Sequence, residues 1–167
     1  IVSDKSFSKM KSKLSHQSKW KKSVFEVYKD ASLNLDWTPK LRKFCKKVGI
    51  DFFTSPYSIE LVDHVDKFVP AYKIGSGDIT WLEIIKYISK KRKPVILATG
   101  ASTMQDVKRA VKVIRKYNNQ ICVMQCNTNY TASDENFKFI NLNYLISLKK
   151  KFPSLVLGLS DHTHGHA

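Results

Sequence analysis

Carboxylates are scarce in this sequence: 14 Asp and Glu stand against 29 Lys and Arg, a formal net charge of +15 over 167 residues. Long apolar runs are missing altogether. No stretch approaches the roughly 18 consecutive apolar residues of a membrane-spanning helix. The first twenty residues carry too many Lys and Ser for the apolar middle of a signal peptide. Cysteine is rare too, with Cys45, Cys122 and Cys126 forming no C-x-x-C pair. That argues against a disulfide framework and for a reducing cytoplasm. The expectation is a soluble, cytoplasmic chain with no membrane partner.

What is present is enough for a core. A 43% hydrophobic content in a chain of this length fits one globular domain and excludes disorder. The basic excess gathers before residue 50, at Lys9, Lys11, Lys13, Lys19, Lys21 and Lys22. Elsewhere the lysines are spread over every expected helix, and no aromatic-basic recognition motif accompanies them, which argues against a nucleic-acid partner. A Lys-rich solvated exterior with some attraction for phosphate-bearing substrates is the reading.

From residue 39 onward, short apolar runs alternate with amphipathic stretches, the pattern of repeated βα units around a parallel sheet. The spacing predicts strands at Ile50 to Thr54, Ala71 to Gly75, Val95 to Thr99, Ile121 to Cys126 and Leu155 to Leu159. Helices are predicted at Trp37 to Lys47, Ser58 to Lys67, Trp81 to Lys90, Thr103 to Lys116 and Leu142 to Lys151. Val107, Ala110, Val111 and Ile114 recur at three- and four-residue steps behind a Ser102 or Thr103 cap. Pro94 and Pro153 stop two helices ahead of the next strand. Residues 1–36 form a basic segment of weak period, read as a long loop and a helix.

The polar residues concentrate where the strands end. In order, these ends read Thr54-Ser55-Pro56-Tyr57, Gly75-Ser76-Gly77-Asp78, Thr99-Gly100-Ala101-Ser102, Gln125-Cys126-Asn127-Thr128-Asn129-Tyr130 and Ser160-Asp161-His162-Thr163. Parallel strands point these ends one way, so donors and acceptors converge on one rim. Lys73 beside Gly-Ser-Gly offers an ammonium and backbone N–H groups, suited to phosphate or carboxylate. The alternatives are a snorkelling Lys73, an Asp78 that only caps the next helix, and an Asp161-His162 pair that satisfies itself. Cys122 and Cys126 share a strand face and read as small buried hydrophobes rather than a metal or redox pair.

These strand-end motifs, with Lys73-Ile74-Gly75-Ser76-Gly77-Asp78 and Gly158-Leu159-Ser160-Asp161-His162-Thr163 the most telling, resemble the N-acetylneuraminate synthase family in order and spacing. That family includes the legionaminic and pseudaminic acid synthases. The resemblance implies an α/β fold, a (β/α)8 TIM barrel of which residues 37–167 would supply the third to seventh strands. It implies condensation of phosphoenolpyruvate with an acylamino sugar such as N-acetylmannosamine, served by Mn²⁺ or Mg²⁺, in a homodimer. Carried over, Lys73, Ser76, Ser55, Thr128 and Ser160 would bind phosphoenolpyruvate. Gln125 and Tyr130 would face the sugar, and His162 would be one of two histidine metal ligands. Asp78 stands where many bacterial members have a Glu that moves a proton or orients water, with Lys73 beside it. The first two strands, the eighth with the second histidine, and a C-terminal antifreeze-like domain would be missing, leaving the isolated chain inactive.

Overall fold

The computed structural model describes residues 20–128, 130 and 133–163. Two compact units divide the chain, Ile1–Lys40 and Leu41–Ala167. In the first, the helix expected among residues 1–36 is α1 (Val24–Asp30). Its start is a capping box: the Ser23 hydroxyl accepts from the Glu26 N–H at 3.3 Å, and the Glu26 carboxylate accepts from the Ser23 N–H at 3.0 Å. The boundary between units falls within α2 (Trp37–Val48).

The second unit alternates helix and strand: α3 (Ile59–Asp66), β1 (Tyr72–Ile74), α4 (Leu82–Lys90), β2 (Val95–Ala98), α5 (Met104–Arg115), β3 (Ile121–Cys126), α6 (Tyr144–Lys151) and β4 (Val156–Ser160). The four strands pair in chain order, all parallel. Every helix lies within two residues of its predicted bounds. The two prolines act as expected: α4 ends before Pro94 and α6 before Pro153.

The first predicted strand is a correction. Over residues 50–54 only Thr54 pairs, as a single parallel bridge to Tyr72. Ile50 and Phe53 stay exposed, and among the described residues no strand lies on the far side of this run. An apolar run flanked on one side only gains too little burial to extend its ladder.

Register decides which side chains meet. Tyr72, Val95 and Ile121 align across the sheet, as do Ile74, Leu97, Val123 and Leu157. This face packs on Val62 and Val65 of α3, Ile84, Ile85 and Ile88 of α4, Val107, Val111 and Ile114 of α5, and Leu148 of α6. Each such side chain contributes about 1.5–3 kcal/mol by leaving water. Lys73, Ile96, Cys122 and Val156 align on the opposite face. There Val156 is 66% exposed. The two faces correspond to the helix-clad outside and the interior of a partial (β/α)8 barrel.

The lower edge of the sheet is tied down. Lys93 Nζ donates to the Val69 carbonyl at 3.0 Å and to the Asp66 carbonyl, and pairs with the Asp66 carboxylate at 3.0 Å. The fully buried Tyr72 donates its hydroxyl to Asp66 Oδ1 at 2.7 Å. Burial followed by the Asp66 carboxylate drives the Tyr72 hydroxyl far above its usual range, so it stays a donor.

Candidate active site at the strand ends

The residue before each strand end selects the face its neighbour occupies. Lys73 sits in the middle of β1 between buried Tyr72 and Ile74, so it must point to the opposite face. There its Nζ donates to Ser160 Oγ at 3.3 Å. Ser160 ends β4, so the contact spans the sheet from first strand to last and closes over β2 and β3. Lys73 does not snorkel away; it is aimed at the rim.

Beyond β1 the chain tightens into one 3₁₀ turn, Ser76–Asp78, closed by Asp78 N–H on the Gly75 carbonyl at 3.0 Å. Helix α4 starts only at Leu82, and its N-cap Trp81 makes no side-chain cap bond. The Asp78 carboxylate is therefore not the cap of that helix. It lies back over Gly75, where an added Cβ would stand 3.1 Å from Asp78 Oδ2. Partial burial raises its carboxyl above the usual value. A carboxylate in that state is suited to holding or passing a proton.

Ser76 and Thr128 approach each other from the ends of β1 and β3, separated by Gly100 from the end of β2. Both line an open cavity of about 470 Å³, with Gly77, Ala101, Ser102 and Tyr130. The Tyr130 ring lies on that of His162, with centroids 4.3 Å apart and planes at 50°. The Asp161 carboxylate accepts from the Thr163 hydroxyl, which holds its carboxyl below the ordinary value, with further bonds from the backbone N–H groups of His162 and Thr163 and from the Asn127 side chain.

Of the expected site residues, Ser76, Thr128 and Tyr130 line this cavity, while Lys73 with Ser160 and Tyr130 with His162 form pairs at the same strand ends and Asp78 lies in the turn beyond β1. Ser55 follows the Thr54 bridge at the neighbouring strand end, with no side-chain hydrogen bond to this cluster among the described residues. Gln125 departs from expectation. Cys126 is in register with Ser160 and shares its face, so alternation sends Gln125 to the helix side. It is buried, its Nε2 donating to the Cys126 carbonyl at 3.5 Å and its Oε1 meeting no partner among the described residues. The sequence separates Gln125 from Cys126 by alternation, but the pairing of β3 with β4 is what assigns the two faces. Gly100 was not picked out from the sequence, although the Thr-Gly pair ending β2 is a signal that backbone comes close there.

Whether these residues fit a divalent ion can be tested on the donor set. His162 is the one described histidine at this rim, and no group of three His, Cys, Asp or Glu side chains converges among the described residues. The described residues do not form a metal site by themselves; His162 offers a single ligand. The three cysteines are free thiols, and burial pushes the Cys122 thiol up, which keeps it protonated and inert.

Residues 2–167 match the NeuB family. The chain is 33% identical over 147 residues to N,N'-diacetyllegionaminic acid synthase of Campylobacter jejuni, covering 86% of this chain and 43% of that protein. It is 31% identical to pseudaminic acid synthase of Helicobacter pylori, covering 87% and 42%. The solved structure of the Bacillus subtilis spore coat polysaccharide biosynthesis protein SpsE superposes with a TM-score of 0.73 at 29% identity, covering 84% of this chain and 39% of that one. The chain spans about two-fifths of the length of the relatives it matches. With the match extending over nearly all its residues, the chain belongs to the NeuB family.

Proposed function

We propose that these residues serve a synthase that condenses phosphoenolpyruvate with an acylamino sugar aldehyde, N-acetylmannosamine or a related sugar, to give a nine-carbon 2-keto sugar acid and phosphate. The observation that carries the reading is the Lys73 to Ser160 contact across the whole described sheet, with Ser76 and Asp78 one turn beyond it. A primary ammonium, hydroxyls and turn N–H groups at one rim form a cradle for a small polyanion that carries both a phosphate and a carboxylate.

In the reaction, C3 of phosphoenolpyruvate bonds to the aldehyde carbon, whose oxygen takes up a proton. Water adds at C2, and the bond from C2 to the phosphate-bearing oxygen breaks, so phosphate leaves with that oxygen. Lys73, Ser76, Thr128 and Ser160 hold the phosphate and carboxylate of phosphoenolpyruvate. Asp78 takes the proton that the water must lose. Tyr130, which lines the cavity, meets the sugar. A Mn²⁺ or Mg²⁺ ion with His162 as one ligand would polarise the aldehyde, its other ligands lying outside the described residues.

The test is an assay of the whole protein carrying this chain, with phosphoenolpyruvate, a divalent ion, and a panel of N-acetylmannosamine, its 6-phosphate and diacetamido deoxy sugars. Sugar-dependent phosphate release is expected with one member of the panel, and ¹⁸O in the bridging position should end in the phosphate. Release of unlabelled phosphate from that substrate, or no dependence on any sugar, would rule the reading out.

A further inference from the structure

We infer that Gly100 is a positioning residue for the anion cradle: by having no side chain it lets Ser76 and Thr128 close on each other from either side. The inference rests on the reading of Ser76 and Thr128 as phosphoenolpyruvate ligands. It adds a part that neither of them supplies.

Gly100 follows β2, the strand between those that carry Ser76 and Thr128. A Cβ built on it would stand 2.8 Å from Ser76 Oγ, closer still to Ser76 Cβ, and 3.0 Å from Thr128 Cγ2. Real Cβ atoms do not come as close as these distances to Ser76, the contact with the Thr128 methyl is tight, and Ser76 cannot retreat cheaply. The Ser76 Cβ is fixed to a backbone held in the 3₁₀ turn, whose end is bonded to the Gly75 carbonyl. Thr128 follows Asn127, whose N–H donates to the Ser160 carbonyl at 2.9 Å. A methyl group at position 100 would therefore wedge apart the two hydroxyl-bearing residues.

Gly100 also has φ of +49°, where any Cβ is strained irrespective of neighbours. Gly49 separates the two effects. Its φ is +75°, and nothing lies within 4 Å of an added Cβ. Gly49→Ala incurs the backbone strain alone, whereas Gly100→Ala incurs the strain and the wedge.

The experiment compares Gly100→Ala, Gly49→Ala, Ser76→Gly and the double variant Ser76→Gly with Gly100→Ala in the whole protein, reading melting temperature and the KM for phosphoenolpyruvate and for the sugar. Gly100→Ala should raise the KM for phosphoenolpyruvate by about tenfold or more with the sugar KM little changed, on the scale of core overpacking. Gly49→Ala should lower the melting temperature and leave both KM values alone. Removing the Ser76 side chain clears most of the wedge, so adding Gly100→Ala to Ser76→Gly should raise the KM far less than it does in the parent. Equal effects of Gly100→Ala in both backgrounds, or a loss of stability without change in KM, would overturn the inference while leaving the proposed reaction standing. If Gly100→Ala does not fold, the double variant should; its failure would also overturn the inference. A parent protein that does not take phosphoenolpyruvate would remove the reaction, and the inference with it.

Discussion

Lys73 Nζ and Ser160 Oγ lie 3.3 Å apart, joining the strand that opens the described sheet to the strand that ends it. A bond of that length is weak, and the ammonium keeps two further donors for a ligand. Lys73→Gln is expected to weaken phosphoenolpyruvate binding roughly 10- to 100-fold, the loss of one or two charge-assisted hydrogen bonds. Melting temperature should change little, since the side chain is half-buried and has one described partner. Titration calorimetry and thermal unfolding on the same variant check both halves.

Asp78 gives a pH signature. Burial raises its carboxyl above 3.8, so the ionised form destabilises the fold. The neutral form's benefit is complete below the unfolded value and is lost as pH rises through the folded one. Asp78→Asn should therefore melt higher than the parent at pH 7, with the gain vanishing in acid. If Asp78 handles the proton of the attacking water, the same variant should lose about 100-fold or more in kcat. Higher stability with unimpaired turnover would exclude that role.

At the opposite edge, Tyr72→Phe removes the buried donor to Asp66. The expected cost is about 1–3 kcal/mol of unfolding free energy, measured by denaturant titration, without effect on the KM of either substrate. Burial opposes ionisation of Asp66, but the bonds from Tyr72 and Lys93 together outweigh it and lower its pKa. Its contribution is present above the unfolded value and lost as pH falls through the folded one. The acid loss of stability should be shallower in Tyr72→Phe than in the parent.

The 167 residues on their own should not turn over phosphoenolpyruvate and N-acetylmannosamine with Mn²⁺. Among the described residues strand β4 leaves one edge of the sheet unpaired, and His162 is the one histidine at the rim. Sugar-dependent phosphate release from the purified chain would contradict this.

Helices and most strands were readable because their signals are local. The period of Val107, Ala110, Val111 and Ile114, or the stop at Pro153, needs no knowledge of the rest of the chain. The run at residues 50–54 has the same local appearance as β2, yet its pairing depends on neighbours on both sides, which no local pattern records. The rim was readable as five polar strand ends. Its internal contacts were not: Lys73 meets a hydroxyl far along the chain, and Gly100 matters only through two residues remote from it on either side. Gln125 is the intermediate case: its alternation with Cys126 is local, but the face it takes is decided by the pairing of Cys126 with Ser160 on the next strand.

Strand β1 has only three residues, clamped at its root by Lys93, Asp66 and Tyr72 and loaded at its tip with Lys73, Ser76 and Asp78. Paired with β2 at all three positions and closed beyond Ile74 by the 3₁₀ turn, it is a strut fixed at both ends. A ligand arriving at such a strut meets donors already in place, so little of its binding energy goes into ordering them.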